Sequence, residues 1–101
     1  MKIAVSSQNF RTVTGHAGKC RRFWVYDIDS CEVKGRPLVE LALEQTFHES
    51  HGAGPHPLGE VNVLISGGMG DGLQQRLKQM GILAVATVET DLDRAVADWL
   101  N

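Results

Sequence analysis

At 101 residues, 43% hydrophobic, 22% charged and with a formal net charge of −2, the chain is sized for one domain, since two half-size cores would each bury too little apolar surface. This balance excludes a disordered acidic tail and offers nucleic acid no basic footprint. Cys20 and Cys31 are too few for a disulfide framework, MKIAVSSQN is too short in apolar residues for a secretory leader, and no stretch approaches the ~18 to 20 apolar residues that cross a bilayer, so a cytoplasmic chain without a membrane partner is expected.

The run KIAV (Lys2 to Val5), ending in SSQN, predicts a buried first strand followed by a loop. Residues 11 to 21, RTVTGHAGKCR, have neither helical nor alternating period and read as a loop. RFWVYDID (Arg22 to Asp29) and CEVKGRPLVEL (Cys31 to Leu41) flank a tight polar turn around Asp29 and Ser30, which predicts an antiparallel hairpin. Pro37 has no N–H for a ladder, so strand three lies at a sheet edge or loses regular pairing there. A long connection follows, with room for a helical turn. VNVLIS (Val61 to Ser66) is the inner strand of an α/β unit. In DGLQQRLKQMG, Leu73, Leu77 and Met80 share a face, Asp71 can cap with Gln74 three positions on, and Gly81 suits the left-handed residue that ends a helix. ILAVATV (Ile82 to Val88) is the next buried strand, parallel to the previous one through a right-handed crossover. In TDLDRAVADWL, Thr90 is the expected N-cap, with Leu92, Ala95, Val96, Trp99 and Leu100 on one face. The result is an α/β chain: a mixed sheet with strand one near its centre and helices on its faces.

Three segments carry possible chemistry. SGGMGDG joins a buried strand to a helix, where unpaired backbone N–H groups and the macrodipole favour anions and glycines permit close approach. It lacks the Gly-Lys-Ser/Thr ending of a P-loop; Glu89 and Asp91 lie near the place of an acidic ribose partner, whereas Asp71 opposes a phosphate. TGHAGKC places His16, Lys19 and Cys20 in a glycine-flanked loop, with two metal-compatible side chains and a cation but no closed zinc spacing. HESHGAGPHP holds His48, His51 and His56; His48 and His51 would share a face of a helical turn, and Gly52, Gly54 and Pro55 stop its continuation to His56. A metal-binding loop and a plain polar connection both remain open there. Strand one has no carboxylate for two-metal nuclease chemistry, and no Gly-x-Ser-x-Gly elbow occurs.

In order, MKIAVSSQN with GHAGKCRRFWVYDID, then SHGAGPHPLGEVNVLISGGMGDGLQQRLKQMGI, then AVATVETDLDRAVADWL, the chain resembles the dinitrogenase iron-molybdenum cofactor biosynthesis family of nitrogen fixation over almost its entire length. The resemblance implies a ribonuclease H-like three-layer α/β/α fold with a five-stranded mixed sheet, and a non-enzymatic role in binding or carrying an anionic iron-sulfur or molybdenum-containing cluster. The family's His-Phe-Gly loop with its adjoining basic residue falls on His16, Ala17, Gly18 and Lys19, with Ala17 in place of Phe. Its glycine turn falls on Gly67, Gly68 and Gly70, and its His-Gly segment on His51, Gly52, Ala53 and Gly54.

The expected site therefore comprises His16 and Cys20 as ligands, Lys19 as charge complement, and Gly18, Gly67, Gly68 and Gly70 as backbone contacts, with His51 closing over the cargo as a further metal ligand. Expected partners are proteins that donate and accept the metallocluster, with the chain a monomer or weak homo-oligomer. The competing readings are a small-molecule or nucleotide-binding module built on the glycine turn, and an interaction adaptor without cargo. If strands one and four are adjacent and parallel, TGHAGKC and GGMGDG meet at one rim.

Overall fold

The structure, a computed structural model, describes residues 1–50 and 55–101. β1 (Lys2–Ser6) pairs antiparallel with β2 (Arg22–Asp29) and parallel with β5 (Val63–Ser66), which pairs parallel with β6 (Leu83–Ala86). The sheet order is β3-β2-β1-β5-β6, with β3 (Glu32–Gly35) and β4 (Leu38–Glu40) both on β2. This is the expected mixed sheet with one difference: six strands replace five. The predicted third strand breaks at Arg36 and Pro37, because proline cannot donate to the ladder that continues from β3 into β4. The hairpin turn also sits one residue later than expected, at Ser30 and Cys31, which have φ of 51° and 64°. Two positive φ angles are what a two-residue turn matching the strand twist requires.

Side-chain alternation sorts the core into two halves. On one face Ala4, Phe23, Val25 and Leu64 pack with Leu77 of α1 (Asp71–Gln79). On the other, Ile3, Val5, Tyr26, Val63 and Ile65 pack with Leu92, Ala95 and Val96 of α2 (Leu92–Leu100). Helices on opposite faces make the three layers. Both helix starts differ from expectation by one residue: Gly70 is the N-cap of α1, with Asp71 already inside, and Asp91 rather than Thr90 caps α2 by accepting the Arg94 N–H at 2.9 Å. Gly81, with φ of 78°, ends α1 in the left-handed region as predicted. The long connection carries a 3-10 turn, Leu43–Gln45. Among the described residues no helix is long and apolar enough to cross a membrane.

Candidate anion-binding cleft

Parallel pairing of β1 with β5 carries both strands to the same edge of the sheet, where each ends in a buried serine. Ser6 Oγ donates to Thr14 O at 2.6 Å and lies 2.9 Å from Ser66 Oγ; Ser66 Oγ contacts Gly68 O at 2.9 Å and accepts the Gly68 N–H at 3.2 Å. Backbone bonds complete the joint, from Gly67 N–H to Thr14 O at 3.0 Å and from Ala17 N–H to Gly68 O at 3.2 Å. The two loops that sequence spacing sends to one rim are thus stitched together. A Cβ on Gly67 would stand 3.3 Å from Gly15 N and Thr14 C, so the close approach depends on glycine there.

A cleft of about 950 Å³ opens above this joint. Of the predicted site residues, His16, Gly18, Lys19, Gly67, Gly68 and Gly70 line it. The chain turns sharply at His16, whose carbonyl accepts the N–H groups of Lys19 at 2.9 Å and Cys20 at 3.1 Å. His16 holds a φ of 55°, a left-handed conformation uncommon for a residue with a side chain. Its ring is exposed at the cleft while Ala17, next in sequence, is fully buried beneath the loop.

Cys20 does not reach the cleft. Its side chain is packed in the core on the α1 face, its thiol donates to Arg22 O at 3.1 Å, and burial pushes its pKa up, which disfavours the thiolate a metal needs. The reason is local: after the turn at His16 the chain dives toward β2, so Cys20 belongs to the strand entry rather than to the loop's exposed arc. His51 lies outside the described residues. His56 is committed elsewhere, because its ring stacks on Phe47 with centroids 4.3 Å apart, Nδ1 accepts the Leu58 N–H at 3.0 Å and Nε2 contacts Gln45 O at 2.7 Å. With Nδ1 an acceptor, Nε2–H is the donor, and no ring lone pair remains for a metal. His48 does line the cleft, on an exposed side chain whose backbone N–H donates to Gly18 O at 2.6 Å.

Sequence reading missed Arg76. Its Nη1 donates to Phe47 O at 2.8 Å and also to Ser50 O, and its guanidinium lies 5.4 Å from the Phe47 ring centroid, so it ties α1 to the wall that carries His48. Gly72, Gln75, Arg76 and Gln79 all line the cleft at spacings of three and four, and that polar, carboxylate-free stripe was the available signal. Lys19 and Arg76 supply positive charge, His16 and His48 supply imidazole nitrogens, and no Asp or Glu lines the cleft among the described residues. Asp71 is exposed at the start of α1 and is not a lining residue. The first N–H groups of α1 precede its first helical bond, from Gln74 to Gly70 O, and add to the positive end. Among the described residues no three His, Cys, Asp or Glu groups form a metal cage. The arrangement favours an anion held by backbone dipoles, two cations and one or two imidazoles.

The fold is shared with solved proteins of low sequence identity. The mj0327 protein of Methanocaldococcus jannaschii, provisionally a dinitrogenase, superposes with a TM-score of 0.72 at 17% identity, over 99% of this chain and 88% of that one. The TM1290 protein of Thermotoga, provisionally a NifB protein, gives 0.66 at 20% identity over 97% and 85%. In sequence, the chain is 26% identical to the uncharacterized protein MJ0580 of Methanocaldococcus jannaschii, over all of this chain and 86% of that protein. The model of the family described as dinitrogenase iron-molybdenum cofactor matches residues 1–101, so the chain that builds this cationic rim belongs to that family.

Proposed function

We propose that the cleft binds an anionic metal-sulfur cluster of the iron-molybdenum cofactor or precursor type and carries it, without chemical change, between proteins that donate and accept it. The observation that carries this reading is a large open cleft lined by Lys19, Arg76, His16, His48 and a glycine turn, with no carboxylate among its described lining residues. A metal-sulfide cluster with net negative charge suits such a surface, since backbone N–H groups and cations meet its sulfides while an imidazole occupies an open metal position. Few ligands also suit a carrier, because cargo held by one or two imidazoles can be handed on. His16 is the principal ligand in this scheme and His48 the second. Lys19, Gly18, Gly67, Gly68 and Gly70 complement charge and shape, and Cys20 stays out of the ligand set because its thiol is buried. Membership of the family described as dinitrogenase iron-molybdenum cofactor supports this choice of anion class.

Anaerobic reconstitution with an iron-sulfur or iron-molybdenum cluster, followed by gel filtration and visible absorption, tests the proposal. Colour should co-elute with the chain, fall in His16→Ala and persist in Cys20→Ala. Colour that elutes apart from the protein, or that is equal in the wild type and His16→Ala, overturns it. A nucleotide at the glycine turn is disfavoured because Glu89, near the ribose position, instead accepts the Asp91 N–H at 3.1 Å and faces Arg94 at 3.7 Å. A thermal-shift series with nucleotides measures that alternative, since ligand binding to the native state raises the melting temperature.

A further inference from the structure

Arg76 stands in the cleft wall with its guanidinium already fixed. Nη1 donates to the Phe47 and Ser50 carbonyls, and the guanidinium carbon lies 5.4 Å from the centroid of the Phe47 ring. In a planar guanidinium the Nε–H and one Nη2–H point the same way, so the edge left over is the fork that matches the paired oxygens of an oxyanion. Among the described residues no hydrogen bond or carboxylate meets that edge: the ion pairs use Arg22, Lys34, Arg36 and Arg94, and no Asp or Glu lines the cleft. Arg76 is half-buried, and a cation withdrawn from water without a counter-ion is costly. Ser50 lines the same cleft and has a second unmet group. Its N–H donates to Thr46 O at 2.8 Å and its carbonyl accepts from Arg76, yet its buried Oγ has no partner among the described residues. Buried hydroxyls are nearly always hydrogen-bonded, and an orphan one beside an open cleft points to a partner supplied by a ligand. The hydroxyl makes no bond where it stands, so rotation about χ1 toward the cleft breaks none.

We propose that Arg76 and Ser50 form an oxyanion subsite on the α1 wall of the cleft. Two oxygens of a carboxylate or of a tetrahedral oxyanion sit on the Arg76 fork, and the Ser50 hydroxyl donates to the same anion. Gln79, three positions on along α1, lines the same wall and adds an amide. These groups offer N–H and O–H donors and no metal ligand, which separates them in chemistry from the imidazole of His16. A spherical anion has no paired acceptors for the fork, so chloride competes poorly. The assignment does not depend on the metal-sulfur reading, because a free oxyanion without metal meets every group named.

Calorimetric titration of the metal-free chain in chloride buffer, with inorganic phosphate and separately with succinate, tests the subsite and tells its two sources apart. Saturable one-to-one binding of at least one probe is expected: phosphate alone assigns a tetrahedral oxyanion, succinate alone a carboxylate, and both any anion with paired oxygens. Arg76→Lys keeps the charge without the fork and should weaken that binding about tenfold, whereas Lys78→Gln, exposed on α1 and outside the cleft lining, should leave it unchanged. Ser50→Ala should weaken binding about threefold without lowering the urea midpoint, since it removes a hydroxyl that the fold leaves unsatisfied. If Arg76→Lys fails to fold, the Arg76 Nε–H signal in a nitrogen–proton spectrum of the unaltered chain answers the same question by moving as the probe is added. Absence of binding by both probes, equal binding in the wild type and Arg76→Lys, or an Nε–H signal that stays fixed through the titration overturns the proposal. So does a loss in Lys78→Gln as large as that in Arg76→Lys, or a Ser50→Ala chain that binds as tightly as the wild type.

Discussion

His16 and His56 are the same residue in two regions of opposite construction. At the rim, His16 stands in a left-handed backbone conformation above a joint of buried serines and glycines, with its ring exposed at the cleft. In the 43–58 connection, His56 lies flat on Phe47 with both ring nitrogens engaged. That connection contributes a cleft wall, through Phe47 and His48, and the loop with a single histidine sets the His16 ring at the cleft. A histidine count therefore locates polar chain, whereas the availability of the ring nitrogens separates His56, which spends both, from His16, whose ring makes no hydrogen bond among the described residues.

The contrast breaks most severely if the rim joint is removed. Ser66→Ala strips the acceptor from the Gly68 N–H and a partner from Ser6 in a buried setting, and should cost about 2 kcal/mol in urea unfolding. A smaller loss would mean that the backbone bonds alone hold the two loops. For cargo, His16→Ala should weaken cluster retention about tenfold, or about 1.4 kcal/mol, while His56→Phe leaves it unchanged in the same reconstitution. Equal losses in both variants would erase the distinction between the regions. Arg76→Met keeps an apolar stem but frees the Phe47 and Ser50 carbonyls, and should lower stability by about 1 kcal/mol while reducing cluster retention through the displaced His48 wall.

The smallest effect concerns pH. Burial lowers the His56 pKa below its ordinary 6.5, against the opposing hydrogen bond to Gln45 O and with the Arg76 charge assisting. A depressed pKa means that the fold favours neutral imidazole, so this contribution is complete above the unfolded value and is lost as pH falls through the folded one. Urea midpoints measured from about pH 7 to about pH 5 should therefore decline on the acid side, and the decline should flatten in His56→Phe, which keeps the stack. An unchanged acid-side slope in that variant would assign the pH dependence to other groups.

Much of the scaffold is legible in the sequence. β2 spans the predicted Arg22–Asp29, Gly81 ends α1 in the left-handed region, and α2 buries Leu92, Ala95 and Val96 as its periodicity requires. The misses have local causes. Asp91 outcompetes Thr90 as a cap, since the two stand side by side and only one aligns with the Arg94 N–H. Pro37 is an obstacle on sequence grounds alone, yet whether it ends the strand or splits it depends on β2 being long enough to pair with pieces on both sides.

Hydrophobic period and glycine position, properties of neighbours in the chain, determined the order of strands and helices and the glycine turn. Tertiary structure decided which polar residues line the cleft. Parallel pairing of β1 with β5 brought Ser6 beside Ser66 across 60 positions, and the docking of α1 aimed Arg76 at carbonyls 26 and 29 residues earlier. It also sent Cys20 inward and His56 onto Phe47. Such choices follow from long-range burial and hydrogen-bond satisfaction, which no spacing along the chain encodes.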